Sequence, residues 1–168
     1  MTVDLFTFVG MYGRQVATAQ HLLAKGVEFA RAGGVTEAEL LEWRLIDDMF
    51  PLRNQFQAVA NFAGQWPARA AGLDMLPTVE GAQSVAELQA ALAAARAHLA
   101  GLTPEQFAGR DEALLTVDLG QLSPTFNAGQ WISGFSTTNF YFHLSMAYAI
   151  LRSKGVPIGK RDLFAGGL

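Results

Sequence analysis

Four long stretches of this sequence repeat apolar residues every three or four positions, the spacing that forms one face of an α-helix. The first spans residues 5–27 and is followed by Gly33-Gly34. The second begins at Pro51 and runs to about Ala71, directly before Gly72. Because proline is tolerated in the first helical turn and glycine commonly ends a helix, these residues predict where the two helices begin and end.

The third and fourth stretches lie in the second half of the chain. An alanine-rich segment follows Ser84, which has Glu87 at the spacing of a capping box, and it ends before Gly101. The last stretch covers residues 128–153. If these residues form one uninterrupted α-helix, side chains spaced three or four positions apart share the face that packs on the core. The side chains predicted on that face are Trp131, Phe135, Thr138, Phe142, Met146 and Ala149.

Two smaller elements complete the predicted fold. Thr36 is a suitable N-cap for a short accessory helix. Apolar and polar residues alternate between Glu112 and Asn127, around Gly120-Gln121, which predicts one β-hairpin before the last helix. We therefore expect an all-α four-helix bundle with a short helix and a small hairpin, forming a single domain over residues 1–168.

The composition indicates more apolar surface than one core needs. Hydrophobic residues make up 51% of the 168 residues and charged residues only 16%. No unbroken apolar run approaches the roughly 18 residues of a membrane span. The extra apolar surface therefore favours a homodimer interface over a membrane contact. A ligand pocket is the other way in which such surface could be used.

Charge and cysteine content narrow the possible partners. The net charge is −3 and no stripe of Lys and Arg is present, so neither nucleic acid nor an anionic membrane is an expected partner. The chain has no cysteine, which excludes disulfides and thiolate chemistry. Residues 1–13 lack the basic start of a secretory signal, and the expected location is the cytoplasm.

Polar residues on the second long helix are the first candidates for a site. Arg53, Gln57 and Asn61 follow one another at intervals of four residues, so they share one helix face. Such a row is either a solvated face or the lining of a cleft, and the sequence does not decide between them. Asp47-Asp48, near Arg44 and Arg53, is either an ion pair between helices or an acid placed in a pocket.

His143 is the only histidine on the strongly apolar last helix. A functional interpretation makes it a ligand contact or general base, since imidazole titrates near neutral pH. The structural interpretation is a buried histidine bonded to Asn139, Gln57 or Asp48. The other helical histidine near the start of the chain, His21, has no acidic partner in its sequence neighbourhood.

Several local strings carry a resemblance to a known family: Asp48-Met49-Phe50-Pro51-Leu52-Arg53, Asn139-Phe140-Tyr141-Phe142-His143 and Gly159-Lys160-Arg161-Asp162. Together they resemble a branch of the DinB-like superfamily whose function is unknown. The resemblance covers nearly the whole chain and implies a helical bundle that dimerises. Many better-known relatives hold a divalent metal with three histidines, one on the second helix and two on the last.

Only part of that histidine set is present. His143 lies on the last helix, but the positions one turn away are Asn139 and Ala147, and residues 49–71 contain no histidine. The leading interpretation is a cytoplasmic homodimer without the full metal site and without a resident cofactor, with a small molecule near His143 as its candidate ligand. The predicted ligand-contacting residues are His143, Asn139, Asp48, Arg53, Gln57 and Asn61.

The alternative is a metal-dependent transferase or hydrolase of the DinB-like kind. In that interpretation a divalent metal binds His143, and oxygen ligands from Asp48, Gln57, Asn61 or Asn139 complete its coordination. The two interpretations differ in metal content, which is directly measurable.

Overall fold

The computed structural model describes residues 3–167, and it is a bundle of long helices with one short hairpin. The α-helices, in chain order, are α1 (Leu5–Ala32), α2 (Glu37–Glu42), α3 (Leu52–Ala71), α4 (Val85–Ala100), α5 (Ala128–Gln130) and α6 (Thr137–Ser153). A π-helical segment, Trp131–Ser136, joins α5 to α6 in one continuous helical rod. Short 3-10 turns occupy Pro104–Phe107 and Lys160–Phe164. The predicted all-α bundle is confirmed.

The helices surround one core in a simple order. α4 packs against both α1 and α3, and α6 packs mainly against α3. The seam between α1 and α4 is therefore on the side of the bundle opposite the seam between α3 and α6. The largest fully buried side chains between these helices include Tyr12, Phe56, Trp131 and Phe140.

Local sequence signals set the helix ends. The Ser84 side chain accepts a hydrogen bond from the Glu87 backbone N–H, and the Glu87 side chain bonds back to the Ser84 backbone, so the predicted capping box is formed. The Thr36 side chain caps α2 in a similar way, because it accepts a hydrogen bond from the Glu39 backbone N–H. Gly72 ends α3 with a φ of 75°, a left-handed conformation that favours glycine.

The predicted core stripe of the last helix is wrong beyond its first turns. Thr138 is exposed and the Phe142 side chain is 50% exposed, whereas Phe140 and Leu144 are buried. The cause is the π-helical segment Trp131–Ser136, which places an extra residue in the turn. One extra residue rotates everything that follows by about 100° relative to an uninterrupted α-helix.

The hairpin is formed as predicted and is attached to the bundle by aromatic residues. β1 (Leu114–Thr116) pairs antiparallel with β2 (Thr125–Asn127), with Leu115 opposite Phe126. The Phe126 ring centroid lies 5.3 Å from that of Trp131. The Trp131 indole N–H donates a 2.9 Å hydrogen bond to the Leu115 carbonyl. Trp131 thus joins the hairpin to the core.

The C-terminal segment packs back onto α1. Asp162 Oδ1 lies 2.7 Å from His21 Nε2, and Asp162 Oδ2 accepts a hydrogen bond from the Gly159 backbone N–H. The hydrogen bond from His21 is the main cause of the lowered pKa of Asp162. His21 therefore has an acidic partner, contrary to the expectation from its sequence neighbours. No helix within residues 3–167 is both long and apolar enough to cross a membrane.

Candidate functional site

His143 on α6 is held in one orientation by a buried glutamine of α3. Its Nδ1 lies 2.8 Å from Gln55 Oε1. The Gln55 amide nitrogen donates a 2.9 Å hydrogen bond to the Phe50 carbonyl, so the amide oxygen must face the imidazole. His143 therefore donates through Nδ1–H, and in the neutral ring Nε2 carries a lone pair available to accept a hydrogen bond.

The surroundings of His143 favour the neutral ring. The Phe62 ring stacks on the imidazole at a centroid distance of 6.1 Å, and the Phe142 ring meets it edge-on at 5.2 Å. Burial among these groups lowers the pKa of His143 below its ordinary value of 6.5. The side chain thus presents an acceptor at neutral pH.

A pH dependence of stability follows from this lowered pKa. Below about pH 6.5 the unfolded chain takes up a proton at His143 more readily than the folded chain does. The stability that the folded protein gains from keeping His143 neutral is therefore complete above pH 6.5. It is lost as the pH falls through the lowered pKa of His143 in the folded state. Urea unfolding of wild type and His143→Gln between pH 5 and 8 measures how the free energy of unfolding changes with pH. We expect the wild type to lose more stability on acidification than the variant, and parallel curves would contradict this.

A cleft of about 290 Å³ opens beside His143, between α3, α6 and the loop that follows α3. We call it the His143 cleft. Phe50 supplies an apolar wall, and Glu80 is the only carboxylate in the lining. Its lining residues are Phe50, Asn54, Gln57, Ala58, Asn61, Val79, Glu80, Gly81 and His143.

The polar row of α3 holds the loop that forms one wall of this cleft. Asn61 makes two hydrogen bonds with the Val79 backbone, donating to the carbonyl at 2.9 Å and accepting from the N–H at 2.8 Å. Gln57 donates to the Gly81 carbonyl at 2.7 Å and accepts from Asn54. The row is therefore neither simply solvated nor a set of free ligand contacts, because its amides bind the backbone of the loop.

Asn61→Ala is expected to loosen this loop while leaving the bundle folded. Two hydrogen bonds to the Val79 backbone are lost, which corresponds to about 1–2 kcal/mol of local stability. Hydrogen exchange at the Val79 amide should accelerate roughly tenfold or more. Asn54→Ala is the matched control, since the Asn54 amide donates only to the Gln57 side chain. Equal exchange at Val79 in both variants would contradict the role given to Asn61.

The six predicted contact residues divide into two groups. His143, Gln57 and Asn61 line the cleft together. Asn139 does not, because its amide donates to the Phe135 carbonyl one turn back along the helical rod. Asp48 is exposed and, like Arg53, lies outside the cleft lining. Whether any of these residues binds a ligand stays a prediction.

The predicted partners of two groups need correction. Arg53 forms its ion pair with Glu42 of α2, and Arg44 bonds the same carboxylate at 3.1 Å. Glu42, not Asp47 or Asp48, therefore links the two arginines. Likewise the hydrogen-bond partner of His143 is Gln55, not Asn139, Gln57 or Asp48.

Gln55 is the site residue that the sequence interpretation missed. It is only 1% exposed, on a helix face shared with Leu52 and Val59. A glutamine three residues after one core leucine and four before a core valine signals a buried amide, and a buried amide requires a partner. That signal was present in the sequence.

Comparison with known proteins places this arrangement in a family. The model of the family described as Domain of unknown function (DUF1993) matches residues 6–164. The chain belongs to the DUF1993 family. No curated protein matches the chain at a significant level.

A solved structure extends the assignment of this DUF1993 chain. A crystal structure of a DinB family member from Shewanella denitrificans is similar to it, with a TM-score of 0.81 and 26% sequence identity. The match covers 92% of this chain and 88% of the other. The DinB-like resemblance expected from the local strings is therefore confirmed.

The donor set of this DUF1993 chain does not fit the three-histidine metal site that the resemblance implies. The amide of Asn139 bonds its own helical rod, and the amides of Gln57 and Asn61 bond the loop backbone. Within residues 3–167, no three His, Cys, Asp or Glu side chains are grouped so that they could hold a metal ion. His143 is the one histidine on α3 and α6.

Proposed function

We propose that this DUF1993 chain is a ligand-binding helical bundle that holds a small molecule in the His143 cleft. The observation that carries the proposal is the Phe50–Gln55–His143 hydrogen-bond chain, which fixes the imidazole and leaves Nε2 as an acceptor. A ligand suited to the cleft combines a hydroxyl or N–H donor for Nε2 with an apolar part against Phe50. The proposal places the protein in the cytoplasm, which suits a chain without cysteine.

Phenol and toluene are matched probes of this chemistry, because they share an aromatic ring and only phenol has a donor. Nitrogen-15 NMR of labelled histidine would follow the Nε2 resonance of His143 during titration with each probe at millimolar concentration. We expect phenol, and not toluene, to shift this resonance. Phenol binding, followed for the variant in the NMR signals of phenol itself, should disappear in His143→Phe. Absence of a phenol shift, or an equal response to toluene, would refute the proposal.

The alternative activity, metal-dependent transfer or hydrolysis, is tested by elemental analysis of protein purified without chelator. Zn, Ni, Mn or Fe at about one equivalent, lost on His143→Ala, would replace the ligand-binding proposal with a metal-dependent one. The occupied amides of Gln57 and Asn61 are the reason that ligand binding is preferred.

The second part of the proposal is a homodimer formed through the hairpin. Leu114 is 74% exposed and Leu122 62% exposed, and Leu119 and Phe126 add exposed apolar surface on the same hairpin. The sheet has two strands among the described residues, so the outer edge of each strand is unpaired. A second copy would cover both the apolar side chains and an edge.

Charge introduced on the hairpin should therefore dissociate the dimer. Analytical ultracentrifugation at micromolar concentration is expected to show a dimer for wild type and a monomer for Leu114→Lys/Leu122→Lys. Ile46→Lys is the matched control, because Ile46 is 58% exposed and lies between α2 and α3. A monomeric wild type, or a double variant that stays dimeric, would contradict the interface.

A further inference from the structure

A cavity with a volume of about 540 Å³ lies in the seam between α1 and α4. We call it the α1–α4 groove. Because this seam is on the side of the bundle opposite the seam between α3 and α6, the groove is separate from the His143 cleft. Its size falls in the range of roughly 300–1,000 Å³ that is usual for small-molecule sites.

The groove combines an apolar floor with two guanidinium groups. Phe6, Val9 and Leu99 supply apolar surface, and Arg14 and Arg96 lie in the same lining without any Asp or Glu. The salt bridges formed among residues 3–167 involve neither arginine. The nearby acid at the start of α1, Asp4, is occupied in capping the helix. Two positive groups without a carboxylate in the lining, in a chain of net charge −3, indicate an anionic ligand.

Two glycines of α1, Gly10 and Gly13, lie in the lining of the groove. Arg14 Nη1 lies 3.5 Å from the point that a Cβ on Gly10 would occupy, so the guanidinium extends back along the helix over Gly10. Among residues 3–167, a Cβ on Gly13 would meet nothing within 4 Å. Glycine inside a helix costs about 1 kcal/mol relative to alanine, and the described neighbours of Gly13 leave room for a side chain. The open space in front of Gly13 therefore belongs to the groove, and a side chain at this position would narrow it.

We propose that the α1–α4 groove binds an amphipathic carboxylate, a molecule with an apolar body and one acid group. The apolar body would lie along Phe6, Val9, Gly13 and Leu99, with the carboxylate paired to both guanidinium groups, those of Arg96 and Arg14. A second copy of this chain is a poorer occupant, because a two-fold contact would bring the arginines of both copies into one interface.

Decanoate and decanol are the matched probes, since they share the alkyl body and differ in charge. Isothermal titration calorimetry of the full chain should detect decanoate binding and a markedly weaker response to decanol. Arg96→Gln is expected to weaken decanoate binding roughly tenfold, the effect of losing one charge-assisted hydrogen bond. His143→Phe should bind decanoate as the wild type does, which separates this inference from the proposed function.

Gly13→Leu provides a variant that fills the groove and remains folded. Its Cβ meets no neighbour in the described part of the chain, and leucine is a better helix former than glycine, so the melting temperature should rise while decanoate binding is lost. Decanol binding as tight as decanoate, or full binding by Gly13→Leu or by Arg96→Gln, would overturn the proposal. A dimer that Gly13→Leu converts to a monomer would assign the groove to a second copy and overturn it equally.

Discussion

Replacing Trp131 with alanine is expected to lower the free energy of unfolding by about 3–5 kcal/mol. Trp131 is 1% exposed, and its ring lies within 5.4 Å of the ring centroids of Trp66, Phe126 and Phe135. Truncation leaves a cavity among these rings and removes the indole N–H bond to Leu115. The hairpin should then separate from the bundle before the helices unfold.

Trp131→Phe distinguishes the hydrogen bond from the packing. Phenylalanine keeps most of the apolar volume but has no donor for the Leu115 carbonyl, so the loss should be smaller, and hydrogen exchange should still accelerate in residues 114–127. Chemical denaturation and exchange measured on both variants check this. A Trp131→Ala protein as stable as wild type, or one whose hairpin exchanges at the wild-type rate, would contradict the role of Trp131.

Ser136→Ala is expected to lower the free energy of unfolding by about 1–3 kcal/mol, although it removes a single oxygen. Tyr12 and Ser136 are both 0% exposed, and their hydroxyl oxygens lie 2.6 Å apart. Without Ser136 the Tyr12 hydroxyl keeps only Thr137, at 3.4 Å. A buried hydroxyl left with a poor partner is more destabilising than a pair removed together.

A double-mutant cycle with Tyr12→Phe tests this pair. The combined variant should be less destabilised than the sum of the two single variants, because neither hydroxyl is then left alone. Additive losses would show that the two hydroxyls do not act together.

The same tyrosine predicts a loss of stability at alkaline pH. Burial raises the pKa of Tyr12 above its ordinary value of 10.0, so the unfolded chain loses the proton first. The stability that the folded protein gains from keeping Tyr12 protonated is complete below pH 10.0. It is lost as the pH rises through the raised pKa of Tyr12 in the folded state. Tyr12→Phe should remove this part of the alkaline transition.

The helices could be predicted from the sequence because their signals are local. The capping box at Ser84 and Glu87, the glycine after α3 and the apolar spacing of α1 each depend on residues a few positions apart. Where the fold depended on such neighbours, the predicted boundaries were close to those observed. The hairpin was predictable for the same reason.

The candidate site was less predictable because its contacts join distant parts of the chain. His143 and Gln55 are 88 positions apart, and Asn61 reaches a loop 18 positions away. The four-residue spacing of Arg53, Gln57 and Asn61 is the same whether these side chains face solvent, line a cleft or hold a loop. Only the packing of α3 against that loop decides among them.

The π-helical segment before α6 also bears on how relatives should be compared. A homologue whose last helix lacks the extra residue aligns with this chain only if a one-residue gap is placed within Trp131–Ser136. An alignment that allows no gap there is shifted by one position on one side of the segment. It would then pair His143 with the wrong residue of the relative, so that a histidine in one chain would be compared with a residue on a different face of the helix in the other.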